Sequence, residues 1–268
     1  MGRQMGILGH SRAWRAIVLA CGMAWFGPAA DLEAGTLASP GSLDIAGGSV
    51  EPFGLFTSPV TWGGLLAKWQ GVEHSLDDER VQLALCDGDP DRCASPAALQ
   101  FLAIVDHAKA LEGRARLGDI NRAINLAIRP MTDMAQWGKI DVWSSPLVTF
   151  SHGAGDCEDY AIAKYVALRH AGMSPDDLRI VVVRDTIDGA GHAVAAARLD
   201  GHWLMLDNRH MAMIEDTDVR NYQPLFVIDQ HGVMRFVDPP LLAKVPDRNP
   251  ARVALNLAGQ PATTSSSD

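Results

Sequence analysis

Between residues 95 and 130 the apolar positions recur at helical spacing, and from residue 178 onward they alternate, so the chain reads as helices followed by a sheet. Ser95-Pro96 supplies a capping hydroxyl and a first-turn proline, after which Leu99, Leu102, Val105 and Ala108 share one helical face up to Gly113. A second helix starts near Asp119, carries Ile120, Ala123, Ile124, Ala127 and Ile128, and is ended by Pro130. Upstream, Phe53-Gly54-Leu55-Phe56 predicts a short edge segment, and Trp62 to Val72 a helix whose tryptophans anchor a core. Met131 to His152 reads as a long connection without regular structure, and Ala161 to Ala171, closed by Gly172, as a further helix. Strands follow at Leu178 to Arg184, Ala193 to Leu199, Trp203 to Leu206, Leu225 to Ile228 and Val233 to Val237. Helices first and strands second predict an α+β fold, an N-terminal helical lobe packed on a largely antiparallel β-sheet.

Composition narrows the function. With 268 residues, 47% of them hydrophobic, the chain can bury a sizeable core, and a net charge of −9 argues against nucleic acid as a partner. Arg3, Arg12 and Arg15 precede the apolar run Ala16 to Trp25 and then Gly27-Pro28-Ala29-Ala30, with no acid before Asp31. That is the layout of a secretory signal peptide over residues 1–30. An uncleaved anchor and a lipid-attachment site at Cys21 are the rival readings. The apolar run is short for a membrane span, and Cys21 lies inside it rather than after it. Residues 31–50 read as a flexible linker, 51–245 as one domain and 246–268 as a flexible tail. In an oxidising compartment Cys86 and Cys93 would pair across the turn-rich loop between them. That loop lacks the glycine and glutamate a calcium-binding EF-hand needs.

Pairing leaves Cys157 as the free thiol of the mature chain, at the junction of Gly153-Ala154-Gly155-Asp156 and a helix. The first turn of a helix presents unpaired N–H groups and a partial positive charge, which favour a thiolate. Such a thiol becomes a nucleophile when a histidine can take its proton and a third group holds that histidine. Asp200-Gly201 between two alternating runs is a two-residue hairpin turn. It sets Leu199 opposite His202 and Asp207 opposite Val194, with His192 the diagonal neighbour of Asp207 on the same face. The same parity turns His202 to the other face, towards solvent. His210, at the strand end, is the reserve base, and the direction of His152 is not set by its loop. Asp156, Glu158 and Asp159 crowd the cysteine, and like charge raises a thiol pKa. A bound calcium ion would neutralise them, since hard carboxylate oxygens suit it. The plainer reading is that Asp156 caps the helix and the other acids favour its dipole.

The segments Gly155-Asp156-Cys157-Glu158-Asp159-Tyr160-Ala161, Gly191-His192-Ala193-Val194 and Leu206-Asp207-Asn208 together resemble the bacterial transglutaminase-like cysteine peptidases, the family that includes the LapG-type periplasmic proteases. Trp143-Ser144-Ser145-Pro146 and Lys68-Trp69 are similar too, and the likeness spans roughly residues 50 to 240. The resemblance implies a papain/transglutaminase-like core and a periplasmic endopeptidase with Cys157 as nucleophile, His192 as general base and then acid, and Asp207 as its orienter. It further implies calcium dependence, with Asp156 and Glu158 as the acids associated with the ion. A large surface adhesin would be the protein substrate, and an inner-membrane cyclic di-GMP receptor would hold the enzyme back. Two other functions fit the same motifs: an acyl transferase that resolves the thioester with a lysine amine, and a non-catalytic binding module that keeps the fold. The complete Cys-His-Asp set speaks against the module, whereas hydrolysis and transfer begin with the same step.

Overall fold

The helix that opens at the free cysteine, Cys157–His170, is buried at every residue from Glu158 to Leu168. A helix buried all round belongs at the centre of a molecule, and the other elements of this computed structural model, which describes residues 51–237, are arranged about it. In chain order the helices are α1 (Gly64–Gly88), α2 (Pro96–Lys109), α3 (Gly113–Ala127), α4 (Asp133–Trp137), α5 (Pro146–His152) and α6 (Cys157–His170). The strands are β1 (Phe56–Pro59), β2 (Arg129–Pro130), β3 (Ala154–Gly155), β4 (Leu178–Asp185), β5 (Gly191–Leu199), β6 (His202–Leu206), β7 (Ile214–Glu215), β8 (Tyr222–Asp229) and β9 (Gly232–Val237). The signal peptide, linker and tail expected over 1–30, 31–50 and 246–268 lie outside the described residues.

Seven strands form one sheet in the order β1-β9-β8-β4-β5-β6-β7, and each neighbouring pair is antiparallel. Ala193, Ala195 and Ala197 of β5 belong to the main core cluster, and their small side chains let α6 lie close against the strand. The alternate residues Val194 and Ala196, with Trp203 and Met205 of β6, build a second cluster on the other face. The β5–β6 hairpin has the register read from the sequence, Leu199 opposite His202 and Ala195 opposite Leu206. Its turn residues Asp200 and Gly201 both have positive φ, 52° and 84°, as a type I′ turn requires. On the helical side, α2 packs on α5 and α3 on α6, so the helical lobe and the sheet share one core. The fold is α+β with an antiparallel sheet, as expected.

Several elements differ from expectation: α3 starts at Gly113 rather than near Asp119, β8 spans Tyr222–Asp229 rather than Leu225 to Ile228, and three further differences bear on the core and the site. The first helix runs to Gly88 rather than Val72, so Cys86 sits in its last turns, disulfide-bonded to Cys93 just past a 3-10 turn at Pro90–Arg92. Its buried stripe is Trp69, Val72, Glu79, Leu83 and Cys86, and the acid in the middle hides the pattern. That acid has a structural task. Ser145 Oγ donates to Glu79 Oε1, and Leu147 N–H to the same oxygen at 3.2 Å, so α1 supplies the first turn of α5 with an acceptor. Burial pushes the Glu79 carboxyl up, and these donors work against that shift. Second, the supposed connection from Met131 to His152 contains α4 and α5, with Thr132 Oγ1 capping α4. Third, Trp69 is a core anchor, packed edge-on against Tyr165 at 6.0 Å, but Trp62 is 85% exposed and anchors nothing in the core.

Candidate active site

Two short loops bring four of the expected site residues to one cleft, and a strand end sets Asp207 against His192. The helix α6 starts at Cys157, β5 starts at Gly191-His192, and Asp207 is the first residue past the last paired residue of β6. Cys157, His192, Asp156 and Glu158 all line a cleft of about 660 Å³, together with Asp133 and Trp143. The ring Nε2 of His192 donates to Asp207 Oδ1 at 3.0 Å, and both residues are buried. With Nε2 engaged, Nδ1 is the nitrogen left for the thiol.

Asp207 holds its charge firmly. Burial opposes ionisation, but His192, the Tyr222 hydroxyl at 2.5 Å and the Arg209 backbone N–H at 2.9 Å hold its carboxyl well below the usual range. Tyr222, from β8, was not legible as a site residue. It touches both partners, because its ring also lies 5.5 Å from the His192 ring, tilted by 58°. Tyr222→Phe keeps the ring and removes the hydroxyl. It is expected to cost about 1.5 kcal/mol, the low end for a hydrogen bond to a charged group since Tyr222 is part-exposed. The midpoint of urea unfolding checks this, and an unchanged midpoint would show the hydroxyl to be replaced by water.

The other histidines are placed elsewhere. His202 is exposed, with Nδ1 3.5 Å from Glu215. His152 Nδ1 reaches the Val148 carbonyl at 2.9 Å, and its ring packs on Trp137 at 4.6 Å. His210, the reserve, lines a separate small cavity behind Asp207 and Tyr222.

The thiol environment is more hostile than a helix start suggests. Burial pushes the Cys157 thiol up, the Glu158 charge adds to it, and the thiol donates to Glu158 Oε2 at 3.1 Å. The Ala193 backbone N–H, from the strand residue after His192, works the other way. Asp156 is the N-cap residue of α6, but its side chain makes no capping bond. The plainer reading of that acid therefore fails, and its carboxylate turns to other acids. Carboxylate oxygens of Asp133, Asp156 and Glu158 lie within 4.8 Å of one another, in a group that could hold a metal ion. Burial, then the Glu158 charge, pushes the Asp156 carboxyl up to about 8, and burial raises Glu158. Asp133 Oδ1 and Asp156 Oδ1 are buried without a partner. Unpaired, buried, converging carboxylate oxygens are the donor set a divalent cation takes. Asp156 and Glu158 were expected here. Asp133 was not, since it comes from α4, in the stretch that read as a connection.

Asp159 does something else. Its carboxylate is fully buried and accepts the Ser144 N–H at 2.9 Å, which pins the segment before α5 to α6. A Cβ on Gly155 would stand 2.6 Å from Asp159 Oδ2 and 2.8 Å from its Cβ. Gly155→Ala is therefore expected to destabilise by about 1–3 kcal/mol. Urea unfolding reads this directly, and no loss would mean that Asp159 can move aside.

A buried His-Asp pair beside a thiol on a helix start is equipped for thiol-based acyl chemistry. The chain belongs to the family of bacterial transglutaminase-like cysteine proteinases, whose model matches residues 82–230, and is a transglutaminase-like cysteine peptidase. Among solved structures, Legionella pneumophila LapG is 24% identical, with 52% of this chain and 77% of that one covered at a TM-score of 0.47. Its calcium-bound form is 23% identical, covering 54% and 82% at a TM-score of 0.47, and its EGTA-treated form is 23% identical, covering 55% and 83% at 0.47. No curated protein matches the sequence. No helix among the described residues is long and apolar enough to cross a membrane.

Proposed function

We propose that the chain is an exported, calcium-dependent endopeptidase in which Cys157, His192 and Asp207 form the catalytic triad. The observation that carries this reading is the buried 3.0 Å bond from His192 Nε2 to Asp207, in the cleft wall that also holds Cys157. In the first step Cys157 Sγ attacks the substrate's carbonyl carbon while His192 Nδ1 takes the thiol proton. The Cys157 backbone N–H, in the first turn of α6, holds the oxyanion in this reading. His192 then gives the proton to the departing amine, which leaves a thioester on Cys157. Water attacks the thioester with His192 as base, the acid is released, and the proton returns to the thiol. Asp207 keeps the imidazole in the tautomer with Nε2 protonated throughout.

Asp133, Asp156 and Glu158 would hold the calcium ion. Bound there, the ion supplies positive charge next to carboxylates that otherwise oppose a thiolate. The periplasm as the compartment, a large surface adhesin as substrate and an inner-membrane cyclic di-GMP receptor as brake follow from the family resemblance in the sequence. Alkylation of Cys157 by iodoacetamide at neutral pH, with calcium present, tests the triad. Modification much faster than that of a free thiol supports it, and modification no faster defeats it. For the substrate, incubation with the large adhesin of the same cell is the test, and an uncut adhesin would remove that assignment.

A further inference from the structure

The strand ladder stops one residue short of Asp207, since the last β5–β6 pair is Ala195 with Leu206. From there on, side chains from two helices hold the main chain. Lys164 of α6, fully buried, donates its ammonium to the Leu206 carbonyl at 3.0 Å. Asn125 of α3 donates its amide to the carbonyls of Asp207 at 3.0 Å and His210 at 3.1 Å. One turn earlier on the same helix, Asn121 donates to the carbonyls of His210 and Met211, both at 3.1 Å. Three donors thus grip the segment that starts at the residue before the carboxylate.

The lysine is the costly member of this set. A buried ammonium is expensive, and an apolar side chain of the same length usually serves packing as well or better. Burial brings the Lys164 ammonium down to about 7, and the Asp207 carboxylate pulls the other way. The Tyr160 ring, 5.8 Å from Nζ, adds a weak attraction of the kind an aromatic face offers a cation. The link from the lysine to the carboxylate is the Leu206-Asp207 peptide, whose Leu206 carbonyl the lysine holds.

We propose that Lys164 is a positioning residue for Asp207: with Asn125 and Asn121 it fixes the peptide that carries the carboxylate. This rests on the reading of Cys157, His192 and Asp207 as a triad. The ammonium touches neither substrate nor thiol, and it acts on His192 only through Asp207.

The test uses the full chain with calcium, in the variants Lys164→Met, Lys164→Arg, Asn125→Ala and Asp207→Asn and the double variant Lys164→Met/Asp207→Asn. Two quantities are read: the iodoacetamide rate at the Cys157 peptide by mass spectrometry, and the proton NMR resonance of the His192 ring N–H, assigned by its absence in His192→Ala. Lys164→Met is expected to slow alkylation by about tenfold to 100-fold, as a small misplacement of a catalytic group does, and to move or broaden the His192 resonance. Asn125→Ala should do the same more weakly, and it carries the test if Lys164→Met does not fold. Lys164→Arg should recover part of the rate, and Lys164→Met should add little once Asp207 is Asn. Folded Lys164→Met and Asn125→Ala proteins with the wild-type rate and an unmoved resonance overturn the proposal while Asp207→Asn still shows its loss. A Lys164→Met loss that persists in full in the Asp207→Asn background also overturns it, because the lysine then acts by another route. An unchanged rate in Asp207→Asn defeats the triad reading, and this proposal falls with it.

Discussion

His192→Ala is expected to slow alkylation of Cys157 at pH 7 by about 100-fold or more, the usual worth of a positioned general base. The reason lies in what surrounds the thiol. Burial and the Glu158 charge hold Cys157 in its neutral form, and against them stands one backbone N–H, that of Ala193. A thiolate at neutral pH therefore needs a partner that takes the proton and keeps the resulting charge close, which an imidazole held by Asp207 can do. Removing the ring leaves only the Ala193 N–H to work against the burial and the acids. The rate is measured at the Cys157 peptide, because Cys86 and Cys93 are tied in a disulfide. Equal rates with and without the ring would mean that the thiol is activated by something else or not at all.

Calcium is expected to raise the melting temperature by about 5–10 °C when present at a hundred times its dissociation constant. Binding to the folded state alone contributes about 2.7 kcal/mol at that ratio, and each kcal/mol moves the midpoint of a domain this size by about 2–4 °C. The gain has a specific source: Asp133, Asp156 and Glu158 bring carboxylates together with two oxygens that have no partner. Asp133→Asn and Asp156→Asn should each remove most of the calcium-dependent gain. Their melting temperatures in EGTA should not fall below that of the wild type, since a repelling charge has been taken out of the cluster. A wild-type midpoint that is the same in calcium and in EGTA would remove the metal from the mechanism. A full calcium response in Asp133→Asn would remove Asp133 from the ligand set.

Local chemistry was legible at two places where it depends on short spans. The Asp200-Gly201 turn demands positive φ at both positions, so the register of β5 on β6 followed, and with it the pairing of His192 with Asp207. Ser95-Pro96 gave the start of α2, where the Ser95 hydroxyl accepts the Ala98 N–H at 3.2 Å. What failed to show was whatever depends on a distant partner. The helix expected over Trp62 to Val72 stopped short of the second half of α1, where Glu79 faces inward to serve α5, 66 residues further along the chain. Helices α4 and α5 are short, and propensity alone says little about one or two turns.

The sequence by itself determined the kinds of residues in the site and the hairpin that sets two of them side by side, because a turn and a strand period act over a few residues. The tertiary structure decided which acids meet. It brought Asp133 from α4 to Asp156 and Glu158, left Asp159 as a structural anchor, and placed Tyr222 and Lys164 around Asp207. These contacts arise where separate elements pack, and packing brings together residues far apart in the chain whose side chains carry no mark of the partner they will meet.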